Sequence, residues 1–189
     1  MKKVGLYGGT FDPPHLGHLI MAEEVREQLQ LDEIWFIPTG VPPHKGGVDT
    51  PAKHRLKMVE LSIKGNRQFR MEPIEVNREG VSYTVDTVKT LKQKHPEVEF
   101  YFIIGADMVE YLSKWYKIDD LLVMVRFVGV NRKGHRLKSE YPVLEVTMPT
   151  IEISSTEVKK RLKEGRTISY FVPFEVKQYI RENGLYGFK

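Results

Sequence analysis

Three features of the sequence predict an α/β fold with a doubly wound, mainly parallel sheet flanked by helices. Short apolar runs of strand length alternate with amphipathic stretches of helix length along the chain. The first three elements read strand, helix, strand, a βαβ unit that implies parallel pairing and a right-handed crossover. A glycine- and proline-rich turn follows the first strand, at the carboxyl edge where such sheets bind ligands.

Each element has its own signal. Val4–Tyr7 is a short apolar strand, and Leu16–Leu29 places Leu16, Leu19, Ile20, Ala22, Val25 and Leu29 at helical spacing. Glu33–Pro38, "EIWFIP", is the next strand. The loop Thr39–Thr50 is rich in Pro and Gly and closes with Thr50 as helix cap and Pro51 as first helical residue, so a helix follows over Ala52–Ile63. Met71–Val76 is a weak strand, Thr84–Lys94 is a helix ended by Pro96, and Glu99–Gly105 is a buried strand. Ala106–Leu112 reads as a short helix and Val123–Val130 as a strand. After the polar segment Asn131–Pro142, Val143–Met148 makes a last edge strand, and Ser155–Lys163 and Pro173–Asn183 are closing helices. No internal repeat interrupts this order, and one domain spanning 1–189 is expected, with closing helices from about 155.

Composition narrows the chemistry. The 189 residues are 41% hydrophobic and 29% charged, and no stretch approaches the ~20 apolar residues of a membrane span. The start "MKKVGLYGG" lacks the apolar run of a secretory signal, so a cytoplasmic protein without a membrane is expected. With no cysteine, disulfides, zinc ribbons and thiol nucleophiles drop out, leaving His, carboxylates and hydroxyls. The net charge of +4 permits an anionic ligand without demanding nucleic acid.

The turn "GGTFDPPHLGH", residues 8–18, is a candidate phosphate site. Gly8 and Gly9 allow a sharp turn and close backbone approach, Pro13 and Pro14 stiffen the loop, and a helix start near His15 or Leu16 offers unpaired N–H groups. His15 and His18 share one face of the first turn, with no side chain at Gly17 to obstruct a phosphate chain. Neither a P-loop nor a Gly-x-Gly-x-x-Gly fingerprint is present. Two other readings stand beside this one: a plain turn with surface histidines, and a metal site of Asp12, His15 and His18.

Ser154, Ser155 and Thr156 can cap a helix whose N-terminus, with Lys159, Lys160 and Arg161, also forms a second anion site. Asp107 in "GADM" lies at the sheet's carboxyl edge, where an aspartate can cap a helix. Trp115 and Tyr116 are core aromatics or a stacking surface. His44 and Lys45 sit in the long Pro/Gly loop, and Arg132 is a weaker phosphate candidate; His54, His95 and His135 read as structural or surface residues.

"GGTFDPPHLGH" together with "ISSTEVKKR" resembles the nucleotidyltransferase superfamily marked by His-x-Gly-His and an Ile-Ser-Ser-Thr-x-x-Arg-like motif. Within it the chain is similar to bacterial nicotinate-nucleotide adenylyltransferases, with "PPHK", "SYTVDT", "GADM" and "KWYK" in the family's order. The resemblance implies a Rossmann-like nucleotidyltransferase fold and transfer of AMP from ATP to nicotinate mononucleotide, releasing pyrophosphate in NAD biosynthesis. It implies catalytic roles for His15 and His18 at the phosphates, and ATP contacts from Gly8, Gly9, Thr10, Phe11, Gly105, Asp107, Ser155, Thr156 and Lys159. Tyr83, Thr84, Trp115, Tyr116, His44 and Lys45 would meet the mononucleotide, with Trp115 stacked on the pyridine ring. Magnesium would ride on the ATP phosphates, with no metal ligand from the protein. The family's usual arginine falls on Lys159, which keeps the charge and loses the planar fork.

The attacking phosphate, with a second pKa of about 6, is largely dianionic at neutral pH, so direct in-line transfer needs no strong base and no covalent intermediate. Pantetheine-phosphate adenylyltransferase and a non-catalytic nucleotide-binding module are the competing readings. The edge strand and closing helices make a homodimer an expectation.

Overall fold

The computed structural model describes residues 1–41, 48, 50–132 and 137–188. Its strands are β1 Lys2–Gly9, β2 Glu33–Pro38, β3 Phe69–Met71, β4 Val98–Gly105, β5 Arg126–Arg132 and β6 Val143–Met148. They form a six-stranded sheet in the order β3-β2-β1-β4-β5-β6. Every pairing is parallel. The helices are α1 Leu16–Gln28, α2 Ala52–Ile63, α3 Thr84–Lys94, α4 Ala106–Val109, α5 Ile118–Met124, α6 Ser155–Lys163 and α7 Phe174–Glu182, with 3₁₀ turns at Leu112–Lys114 and Leu185–Gly187.

Because helices cover both faces, the strands alternate between two cores rather than between core and water. Val4, Leu6, Trp35, Phe100, Phe102 and Phe127 pack with Val88 and Leu91 of α3 and Leu121 of α5. Their neighbours Tyr7, Ile34, Phe36, Ile103 and Val128 face the other way, against Ala22 and Val25 of α1 and Val59 of α2. A third cluster joins Met58 of α2 to Val158 and Leu162 of α6 and Val176 and Ile180 of α7. The closing helices thus dock on α2. No described helix is long and apolar enough to cross a membrane.

Three elements depart from expectation. β3 covers Phe69–Met71 rather than Met71–Val76, pairing only with Ile34, Trp35 and Phe36. Pro73 has no N–H to extend the ladder, and Ile74–Asn77 turn instead. The strand expected from Val123 begins at Arg126, because Ile118 and Leu121 are buried at helical spacing and carry Val123 and Met124 into α5. The helix expected over Ala106–Leu112 is split into α4 and the turn Leu112–Lys114. Pro51, moreover, is the N-cap of α2, and the helix starts at Ala52.

Candidate active site

β1 lies between β2 and β4, so the strand order reverses beside it and a crevice opens at its carboxyl end. Gly8 and Gly9 remain in β1, paired with Ile37 and Pro38, rather than forming the expected sharp turn. The left-handed residue is Phe11, at φ 49°. A Cβ on Gly9 would stand 3.0 Å from the Phe11 ring, so this glycine makes room for that ring. Phe11 is buried and packs edge-on against Tyr7 and His18, with ring centroids 5.6 and 5.1 Å apart. The loop therefore doubles back over the core to support a histidine.

His15 is the N-cap of α1, and His18 stands at its third position. Their rings stack, with centroids 3.6 Å apart and planes 22° apart. The backbone N–H of His15 donates to His18 Nδ1 at 3.1 Å. An amide can only donate, so neutral His18 carries its proton on Nε2. The buried His15 Nδ1 faces the His18 backbone N–H in the reciprocal capping box, so its proton also belongs on Nε2. Burial lowers the His15 pKa to about 4. Burial and the neighbouring His15 hold His18 well below the usual histidine value. The pair is therefore neutral at pH 7, with two Nε2–H donors.

Gly17 serves this stack. A Cβ there would lie 3.0 Å from His15 Nδ1, so the space the sequence suggested for a phosphate is taken by the His15 ring. The start of α1 is also partly satisfied, since Leu16 N–H donates to Phe171 O at 2.9 Å. The N–H groups at this terminus are fewer than the sequence led one to expect.

Asp12 turns away from the histidines and toward the closing helices. One carboxylate oxygen accepts from the Tyr186 hydroxyl, and the other lies 3.4 Å from Lys159 Nζ. Among the described residues no group of three or more His, Asp or Glu side chains is placed to hold a metal ion. Arg55, buried in α2, donates to Thr10 O at 2.9 Å and Thr50 O at 3.3 Å. Ser154 caps α6 by accepting from Glu157 N–H, while Ser155 donates to Pro13 O at 2.8 Å. Thr156 is exposed on the first turn of α6. Residues 142 positions apart are thus hydrogen-bonded across the loop.

On the other side of the crevice, Tyr83 is the N-cap of α3 and Thr84 its first residue. The rings of Tyr83 and Tyr116 meet at 4.7 Å, with Tyr116 half exposed. Trp115 is half-buried and packs edge-on against Phe102 and Phe127. Gly105 caps α4, and a Cβ on it would come 2.8 Å from Asp107 Oδ1; Asp107 is exposed in the first turn. Asp107 is thus not the cap. Arg132 ends β5. His44, Lys45 and His135 lie outside the described residues. His54 Nδ1 lies 2.8 Å from the Tyr179 hydroxyl, and His95 packs edge-on against Trp35.

The cytidylyltransferase-like family model matches residues 6–161. A nicotinate-nucleotide adenylyltransferase of Bacillus subtilis is 52% identical over 187 residues, covering 98% of this chain and 99% of that protein. The chain belongs to the nicotinate-nucleotide adenylyltransferase family. A probable nicotinate-nucleotide adenylyltransferase of Oceanobacillus iheyensis is 53% identical, covering 100% of this chain and 98% of that one. In fold the chain matches Plasmodium falciparum nicotinic acid mononucleotide adenylyltransferase in complex with NaAD, with a TM-score of 0.83 at 22% identity over 100% and 99% of the two chains. The same enzyme in complex with APC gives 0.81 at the same identity and coverage.

Sequence reasoning passed over three residues that brace the loops around this candidate site: Arg55, Tyr186 and Glu75. Arg55 shares the buried stripe of α2 with Met58 and Val59, and a cation at such spacing signals a buried partner. Glu75 is buried, which pushes its carboxyl pKa up, and accepts from Thr87 Oγ1 at 2.9 Å. Arg78 donates to the same hydroxyl at 2.7 Å, bracing the turn that precedes α3. Nothing local to "GLYGF" marks Tyr186, whose partner is 174 residues away.

Proposed function

We propose that the chain transfers the adenylyl group of MgATP to the phosphate of nicotinate mononucleotide in the cytoplasm, giving nicotinate adenine dinucleotide and pyrophosphate for NAD biosynthesis. One observation carries the reading: the stacked, neutral His15 and His18 pair at the start of α1, beside the carboxyl end of β1. Two preorganised N–H donors in a partly water-excluded place suit the charge that develops as a triphosphate is displaced.

A phosphate oxygen of the mononucleotide attacks the α-phosphorus of ATP. The new P–O bond forms as the bond to the bridging oxygen breaks, and pyrophosphate leaves with that electron pair. The nucleophile is already dianionic, so the protein's task is placement and charge shielding. His15 and His18 act on the phosphates, with Lys159 adding a cation from α6. The magnesium comes with ATP as part of the substrate. The backbone of Gly8, Gly9, Thr10 and Phe11 lies along the nucleotide, with Gly105 and Asp107 on its adenosine side and Ser155 and Thr156 at the start of α6. Tyr83 and Thr84 at the N-terminus of α3 take the nicotinate carboxylate, and Trp115 and Tyr116 take the pyridine ring. His44 and Lys45, outside the described residues, complete the mononucleotide-binding set.

The test incubates purified protein with ATP, magnesium and nicotinate mononucleotide and measures pyrophosphate and dinucleotide, with nicotinamide mononucleotide and phosphopantetheine as parallel acceptors. Turnover confined to the nicotinate acceptor is expected, and transfer to phosphopantetheine instead would overturn the assignment. Association of two copies through the edge strand β6 and the closing helices is a further proposal, checked by light scattering.

A further inference from the structure

We propose that Tyr186, in the 3₁₀ turn at the end of the chain, is a positioning residue for the nucleotide, acting through Asp12 on Lys159. The inference rests on the proposed phosphate role of Lys159. Asp12 is 6% exposed, and a buried carboxylate is tolerated only where partners compensate its charge. Its two oxygens have unlike partners. The Tyr186 hydroxyl makes a close bond to Oδ1, whereas Lys159 reaches Oδ2 with a single, long contact of 3.4 Å.

The two partners also differ in freedom. Tyr186 sits at φ 59°, a left-handed conformation that a bulky side chain adopts only when its surroundings compel it. Those surroundings are the cluster of Met58, Val158, Val176 and Ile180, against which Tyr186 packs. Lys159 has a side chain 32% exposed beside a cleft of about 310 Å³ between Asp12, Thr50, Lys163 and Tyr186. Tyrosine is therefore the fixed partner and lysine the movable one.

When Lys159 turns to the phosphates, Asp12 must remain compensated. Tyr186 supplies that compensation, together with the field of the nearby Arg55 guanidinium. Without the hydroxyl, Lys159 becomes the side chain still bonded to the Asp12 carboxylate, and binding phosphate would strip that contact and leave only the Arg55 field.

The experiment measures MgATP binding by titration calorimetry, without any acceptor, in the wild type, Tyr186→Phe, Lys159→Met and the double variant, with a thermal melt of each. Tyr186→Phe is expected to weaken MgATP about tenfold, the effect of losing one hydrogen bond to a charged group. In the Lys159→Met background the same change is expected to have no further effect on affinity. Equal weakening in both backgrounds would make Tyr186 a structural residue only, as would unchanged affinity in Tyr186→Phe. A wild type that does not bind MgATP would overturn the adenylyl-transfer reading and this inference with it. Wild-type binding with no loss in Tyr186→Phe would overturn this inference alone.

Discussion

At the scale of single residues the proposed chemistry rests on the stacked pair of His15 and His18. His18→Ala removes an Nε2–H donor and is expected to lower turnover on the order of 10² to 10³. The same change loses the bond from His15 N–H and the edge contact with Phe11, so it should also cost about 1 kcal/mol of stability, read by urea denaturation. The low His15 pKa makes a second prediction. Between about 4 and the ordinary value of 6.5 the unfolded chain binds more protons there than the folded one, so stability rises with pH across that window. It is complete above 6.5 and is lost as pH falls toward 4, by up to about 3 kcal/mol for this residue. The slope of the wild type minus that of His15→Gln isolates the effect. Saturating MgATP should flatten it, because a polyanion favours the imidazolium. That His15 and His18 share one face of the first turn was legible from their spacing. The role of Gly9 and Gly17 was not, since each makes room for a ring whose position only the fold determines.

At the scale of elements, Gly17→Ala separates helix formation from site geometry. Alanine favours the first turn of α1 by a few tenths of a kcal/mol, but its Cβ would meet His15 Nδ1 at 3.0 Å and displace the stacked ring. The melting temperature should stay within a few degrees of wild type while turnover falls about tenfold. Loss of both together would mean that the glycine serves the helix rather than the stack. α1, α2, α3 and α6 were legible because each carries a periodic apolar stripe with a clear start. α5 was not, since its residues Leu121–Met124 run on into the apolar β5 and a continuous apolar stretch does not mark where a helix gives way to a strand. β3 was misplaced for a related reason. "MEPIEV" reads only weakly as a strand: Pro73 stops the ladder, and buried Glu75 accepts from Thr87 of α3, a tertiary contact that a local pattern does not carry.

At the scale of the whole molecule, the parallel connectivity was legible, and βαβ units make the carboxyl edge the expected ligand side. What alternation along the chain could not convey is that the closing helices join the site rather than only covering the core. Ser155 bonds to Pro13 O, Phe171 O takes the Leu16 N–H, and Tyr186 holds Asp12, so the loop between β1 and α1 is tied to three segments from the far end of the chain. A ligand that orders this loop should therefore order those segments as well. The crevice also divides its tasks: residues 9–18 and α6 lie on the proposed phosphate side, and the start of α3 with Trp115 lies on the proposed pyridine side. Hydrogen exchange read by mass spectrometry tests both points. MgATP alone is expected to slow amides in residues 9–18, 154–159 and 184–187. Nicotinate mononucleotide alone is expected to slow those in residues 82–86 and 112–116. The outer edge at β3, which touches neither side, should be indifferent to both. Protection by MgATP confined to residues 9–18 would mean that the closing helices pack beside the loop without sharing its ligand.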